Sequence, residues 1–415
     1  MSRNIVPRAN KDADLGTSEK NWNRLYADAV ILKGSDLKTI LDGKTDLETL
    51  TAKGDLYVAT GPGAITRLPA GTDGYILKVN SSTSTGLMWA PGGKKQELTQ
   101  DKIVTVGSGG DFDTINAALE NIVALYYPKY ISGGHCPRVT INLLHDFVMA
   151  EQVLVESLDL SWITITGDDT ETTINRSALT IEFGIGYPAF AAINGGFLPI
   201  IGQLFNIDTS DALANRFGIL AYSNSRAIVL PYCGVKGAGS INIYAYQNSI
   251  INAQGAIASG ARGDGICAFY GSIINAQNAN ASGAGDAGIR ATYSSIINAF
   301  GANATNAGGN GIHAYISSTI NAHSADASGA GESGIRAEYG STINAFAADA
   351  LNAGTYGINA RYGSTINAEC ADASGASGSY CIVAHNGSII NAFGATGSLN
   401  VAKNTITKSG IIFQQ

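Results

Sequence analysis

A short segment, Ser-(Ile or Thr)-Ile-Asn-Ala, returns through the second half of the chain with its asparagine at Asn252, Asn275, Asn298, Asn321, Asn344, Asn367 and Asn391. Five successive steps are 23 residues long and the sixth is 24. A fixed period over seven copies commits the chain to a repeat architecture, in which each unit buries its apolar face only against its neighbours. A unit of 23 residues is too short for a helix pair, which needs about 33 or more. It also lacks a leucine-rich consensus. It does hold two or three short strands separated by Gly, Ser and Asn, which is one coil of a parallel β-helix. Coils stacked at ~4.8 Å would carry the six steps from Asn252 to Asn391 over about 29 Å.

Alternation along a strand sorts these residues into columns. Most copies are preceded by Gly-Ile-x-Ala-x-Tyr or a variant, at 265–270, 288–293, 334–339 and 357–362. Degenerate copies stand at Asn242–Tyr246 and Gly218–Tyr222. Ile, Ala and Tyr are expected to share the buried side, and the x positions to face water. One x column reads Cys267, Arg290, His313, Arg336, Asn359, Val383, and the other Phe269, Thr292, Tyr315, Glu338, Arg361, His385. Arg290, His313, Arg336, Tyr315, Glu338 and Arg361 are the ligand-binding candidates, because such a strip can hydrogen-bond and stack on sugars. An ordinary solvated face is the competing reading.

The asparagines are expected to form a structural ladder, amide to amide along the stack. Whether they face the core or a subunit contact stays open at this level. A further column reads Ile257, Asn280, Asn303, Asp326, Asp349, Asp372, Thr396. Carboxylates ~5 Å apart raise one another's pKa, bind a cation or splay into water. Paired carboxylates also hydrolyse glycosides. Asp326, Asp349 and Asp372 are therefore a possible cation or carboxylate column, with splaying favoured and no dedicated metal site or cofactor expected.

Composition narrows the function classes. Charged residues are 14% of the 415 and hydrophobic ones 45%, which excludes a coiled coil and charge-rich disorder. Only 12 charged residues fall within 249–398. Net charge is −7 with no basic run, so nucleic acid is not an expected partner. The five cysteines are an odd set without a C-x-x-C spacing, and read as apolar filler. Residues 1–15 show no secretory signal. The charge-free stretch Gly184–Ile207 is broken by Pro and Gly and reads as strands and turns, so no membrane insertion is expected. Motifs for serine hydrolases, zinc proteases and P-loops are absent.

Along the chain, residues 1–50 are polar, with a short helix expected over 37–50 behind Asp36. Residues 51–100 read as a β-rich connector module with a linker over 92–100. Residues 101–415 read as the β-helix. They open with a strand at Ile103–Val106, a GSGGDF turn and a helix near 113–125, followed by the strands RVTINLL, QVLVES and WITITG. The expected fold is thus all-β, a parallel β-helix of about 23 residues per coil behind two small N-terminal regions.

Three segments resemble known sequences. Residues 4–28, NIVPRANKDADLGTSEKNWNRLYAD, are similar to the virion-proximal segment of bacteriophage tail fibres and tail proteins. Residues 51–90 resemble the KGDL…RLP.GT.G..L…S..TGL.W module of the same proteins. VTVGSGGDFDTINAALENI, at 104–122, resembles the opening of the pectin-lyase-like β-helix. The resemblance to a phage tailspike or tail fibre implies a right-handed coil, a homotrimer, and residence in the virion after synthesis in the host cytoplasm. It also implies docking of residues 1–50 on other tail or collar proteins, and contact of the β-helix with host surface polysaccharide. Two alternatives stand beside that role. One is a polysaccharide depolymerase, a hydrolase or lyase whose catalytic residues no motif identifies. The other is a purely structural collar or side fibre. Binding without catalysis is favoured, and no tip domain is expected beyond the last coil.

Overall fold

The computed structural model describes residues 31–32, 35–36 and 50–413, apart from 63, 73–74, 92–94, 130–135, 184, 208–214, 379, 398–405 and 408–409. The expected helix over 37–50 lies outside the described residues, as does nearly all of the 1–50 docking region. The chain separates into two compact units, Met1–Gly93 and Lys94–Gln415.

In the first unit, Leu56–Gly61 pairs antiparallel with Ala64–Leu68, and Tyr75–Val79 with Leu87–Pro91. The residues that carry the tail-fibre resemblance hold this unit together. The Asp55 carboxylate accepts from Arg67 Nε at 2.7 Å and from the backbone N–H of Thr51, Ala52 and Ala70. Trp89 Nε1 donates to the Pro69 carbonyl at 2.7 Å. Its ring lies over Gly71, where an added Cβ would fall 2.5 Å from the indole.

The second unit is a parallel β-solenoid of about 11 turns, with ~24 residues per turn. Each turn lays strands on three faces. Face A starts with Lys102–Val106, Val139–Leu143, Ile163–Gly167 and Ile200–Ile201. It continues through single bridges into a nine-stranded sheet running from Arg226–Ile228 to Ile411–Phe413. Face B runs from Val148–Met149 to Gly234–Lys236, then narrows to one bridged residue per turn from Ile257 to Thr396. Face C is an eleven-stranded sheet from Val153–Glu156 to Ile406–Thr407. Every pairing between coils is parallel and joins equivalent positions, such as Ile289 with Ile312 and Asn298 with Asn321. The degenerate copies at 218–222 and 243–246 pair in that same register. Within the charge-free stretch, Tyr187–Ile193, Ile200–Ile201 and Leu204–Ile207 are strands, and no helix among the described residues is long and apolar enough to cross a membrane.

Among the described residues the one long helix, α1 (Ile115–Leu125), starts two residues after the expected 113. Thr114 caps it by accepting from Ala117 N at 3.1 Å. Glu151, from the next coil, accepts from Ile115 N and Asn116 N at 2.6 and 3.0 Å, so a carboxylate meets the positive end of the helix. Ile115, Ala118, Leu119 and Ile122 enter the same core as Val104, Val106 and Ile141. Residues 96–97, expected in a linker, instead pair with Tyr126–Tyr127 behind the helix.

The coil interior is a set of stacked columns. Ile266, Ile289, Ile312, Ile335 and Ile358 are fully buried, as are the second isoleucines at Ile274, Ile297, Ile320, Ile343 and Ile366. Alanines such as Ala268, Ala276, Ala281 and Ala304 line the rest, which keeps the coil narrow. Gly334 sits where an added Cβ would lie 2.6 Å from the Ala350 Cβ and 2.9 Å from the Gly357 carbonyl. Cys267 and Cys381 are buried as filler, but Cys370 is exposed at a corner.

The corners correct one expectation. Tyr270, Tyr293, Tyr339 and Tyr362 are not buried with Ile and Ala. They adopt φ near +50°, each followed by a second left-handed residue, which breaks strand alternation and swings the ring outward. Tyr339 and Tyr362 are both 44% exposed. This backbone is unfavourable for L-residues by roughly 1–2 kcal/mol each. The ladder runs through it all the same, as where Ser317 N reaches the Tyr339 carbonyl at 2.9 Å. The serine that follows carries the turn. Ser249, Ser272, Ser295, Ser318, Ser341, Ser364 and Ser388 are almost wholly buried. Ser318 Oγ donates to the Tyr315 carbonyl at 2.8 Å and accepts from Ser295 N at 3.2 Å.

Asparagines lie on the outer side of face A. Each Nδ2 donates to the Oδ1 of the asparagine one coil earlier at 2.9–3.1 Å, unbroken from Asn391 to Asn252. Ser318→Ala should destabilise the solenoid by about 1–3 kcal/mol, because it orphans the buried Ser295 N–H and takes one of two donors from the Tyr315 carbonyl. Asn321→Ala, on the half-exposed ladder, should cost about 0.5–1.5 kcal/mol. Gly334→Ala should exceed both, since its Cβ meets alanine and backbone that cannot yield. Denaturant unfolding of the three variants checks this order.

Candidate functional site

Polar chemistry concentrates on the outer side of face C. Register sets Arg290 beside His313, His313 beside Arg336, and Arg336 beside Asn359. It sets Tyr315 beside Glu338, and Glu338 beside Arg361. The six residues proposed from the sequence therefore share one strip.

The strip is less open than alternation implies. Cys267, Thr292, His313, Glu338, Asn359 and Val383 are buried, whereas Arg290, Arg336, Arg361, Tyr315, Phe269 and His385 are half-buried. Side chains on neighbouring coils stand only ~4.8 Å apart. The long ones lie flat along the stack and shade the short ones.

Ion pairs follow from this crowding. Arg290 Nη2 contacts Asp286 Oδ2 at 2.6 Å and Asp264 Oδ1 at 3.3 Å. Arg336 contacts Glu338 at 2.8 Å and Glu332 at 3.2 Å. His313 Nε2 lies 3.4 Å from Glu338 Oε2, an ion-pair distance and not a well-formed hydrogen bond. Arg361 Nε donates to Asn359 Oδ1 at 3.3 Å, and its guanidinium lies 5.9 Å from the Tyr356 ring centre. Asp264 Oδ1 also accepts from Ala287 N at 3.0 Å, which ties the pair to the next coil.

Asp264, Asp286 and Glu332 were not among the sequence candidates. Their signal is an acid placed just ahead of the Gly-Ile strand, as in DAGIR at 286–290 and ESGIR at 332–336, four residues before each arginine. That spacing puts the carboxylate at the strand entrance, within reach of the guanidinium.

Beside the charges runs a ridge of rings. Tyr339 stacks on Tyr362 with centroids 4.5 Å apart and planes 12° from parallel, and Tyr315 meets Tyr339 edge-on at 5.2 Å. Tyr270 and Tyr293 form a second pair at 4.8 Å. Further down, Tyr222, Tyr246 and Phe269 stack at 5.3 and 5.4 Å. The strip thus joins fixed hydrogen-bonding groups to exposed aromatic surface.

The aspartate column lies elsewhere, on face B, where Asp326, Asp349 and Asp372 are bridged in register. The Oδ1 of Asp326 and of Asp372 each accept a backbone N–H two residues on, from Ser328 and Ser374. These are local Asx turns, which Asn280 and Asn303 also make. Asp349 is exposed; partial burial and its two aspartate neighbours push its carboxyl up. Hydrogen bonds with Ser374 and Thr396 outweigh burial at Asp372 and hold it below the usual range.

Titration separates the strip's carboxyls. Burial pushes Asp264 up to about 6, with Arg290 opposing. Burial also pushes Glu338 up, but His313 and Arg336 outweigh it and hold the carboxyl at about 2. Burial pushes the His313 imidazole down. Glu338 therefore supports the fold above its ordinary value of 4.5, and that support fades as pH falls to about 2. Asp264 acts oppositely, adding stability as pH falls from about 6 toward 3.8. Glu338→Gln should destabilise the protein at neutral pH and converge with the parent near pH 2. Asp264→Asn should remove the gain between pH 6 and 3.8. Denaturation midpoints measured across pH test both.

No family model matches the chain, and no curated protein matches it. Among solved structures it is similar to the crystal structure of the Dettilon tailspike protein, at 13% identity and a TM-score of 0.39. The likeness covers 65% of this chain, which spans 62% of that one.

Proposed function

We propose that the chain is a bacteriophage tail appendage that holds host surface glycan along the outer strip of face C. The exposed tyrosine ridge beside the ion-paired strip is the observation that carries this reading. Sugars present apolar ring faces and rows of hydroxyls, and the strip offers aromatic faces beside fixed donors and acceptors. The solenoid supports the reading because it holds these groups on rigid strands at a constant repeat. Residues 4–28 and 51–90 support it through their resemblance to tail-fibre segments. In this proposal residues 1–50 dock on other tail or collar proteins, and the working form is a homotrimer in the virion.

Fluorescently labelled full-length protein should stain host cells. The double variant Tyr339→Ala/Tyr362→Ala should lose roughly tenfold in affinity while keeping its unfolding midpoint within a few degrees. Equal staining by the variant would remove the ridge from the binding site. Failure of the parent to stain cells would leave the collar or side-fibre role. Release of reducing ends or unsaturated uronates from host polysaccharide would instead make the protein a depolymerase. Deleting residues 1–50 should abolish incorporation into virions, and a truncated chain that still assembles would sink the docking assignment.

A further inference from the structure

We infer that the strip on face C takes a neutral glycan and discriminates against acidic ones; this rests on the glycan-binding reading above. An acidic polysaccharide needs fixed positive charge that is free to meet its carboxylates or sulfates. The strip has little of it. Arg290 is shared by Asp264 and Asp286, and Arg336 by Glu332 and Glu338. Arg361 donates to the neutral Asn359 Oδ1 at 3.3 Å and stands in register beside Glu338, without an ion pair among the described residues. Counting Arg262 at its edge, four guanidinium groups stand against four carboxylates among the described residues of the strip. The chain as a whole carries −7.

A sugar carboxylate could reach Arg290 or Arg336 only by displacing a protein carboxylate already 2.6–2.8 Å from that guanidinium. The freed Asp286 or Glu338 would then lie against the incoming anion. Glu338 is nearly buried, so leaving it unpaired would be especially unfavourable. Neutral hydroxyls face no such exchange. They donate to the carboxylates and accept from the guanidinium groups while the ion pairs stay intact. Ring contact with Tyr339 and Tyr362 is likewise indifferent to charge. Rejection of the wrong ligand is thus built from like charge and desolvation.

Affinity electrophoresis of the full chain tests this, with gels carrying dextran, mannan or galactomannan set against gels carrying alginate, hyaluronan or polysialic acid. Retardation is expected in a neutral gel. It should change less than about twofold between ~50 and ~500 mM salt, because no net charge is being screened. Tyr339→Ala/Tyr362→Ala should weaken it roughly tenfold. The exposed-carboxylate variant Asp286→Asn/Glu332→Gln frees positive charge and should gain retardation in the acidic gels. Retardation of the parent only in acidic gels, weakened by salt, would overturn the inference and leave glycan binding standing. Retardation in neither set would overturn the glycan-binding reading itself.

Discussion

The structure depends on one constraint: each coil must present its backbone in register to the next. Parallel pairing between equivalent residues runs through the sheets of faces A and C and through the single bridges of face B. Even the corners take part, since backbone N–H groups in left-handed conformation still reach carbonyls of the following coil. Register forces equivalent side chains to stack, so a residue type suits this chain only if it tolerates a copy of itself ~4.8 Å away. Isoleucine and alanine do so inside. Asparagine and serine do so by hydrogen bonding to their copies. Tyrosine does so by ring stacking.

Charge tolerates stacking poorly, and its placement follows from that. The repeats hold few charged residues, and opposite signs alternate along the strip on face C. Asp264, Asp286 and Glu332 stand just ahead of their strands, while Arg290, Arg336, Glu338 and Arg361 lie within them. The same crowding that pairs them also buries them. This is why Glu338 and Asp264, on one face and only a few coils apart, are driven in opposite directions. Glu338 is the nearer of the two carboxylates on Arg336 and has His313 beside it, whereas Asp264 is the farther of the two on its single arginine. On face B, stacked aspartates persist because their side chains turn back onto the local backbone and the exposed member leans into water.

The solenoid, the asparagine ladder and the grouping of Arg290, His313, Arg336, Tyr315, Glu338 and Arg361 were legible because a repeat converts sequence spacing directly into spatial columns. The helix over 115–125 was legible from its apolar spacing. Residues that escape strand alternation were not legible. The tyrosines read as core because strand alternation carried one residue further places them inside, whereas a left-handed corner reverses the side chain's direction. The buried serine column was visible as a constant letter, but its two backbone partners arrive from different coils. Asp264 and Asp286 were missed because pairing with Arg290 depends on how a guanidinium lies over the sheet, which no periodicity encodes.

The sequence by itself determined the architecture, since a 23-residue period with small residues at the corners has no other way to bury its isoleucines. It also determined which residues share a column, because register follows the period. Only the tertiary structure decided which way each column faces and how open it is. Orientation is set by corner geometry, and exposure by the reach of side chains from adjacent coils. Both are properties of three-dimensional crowding that a one-dimensional pattern does not contain.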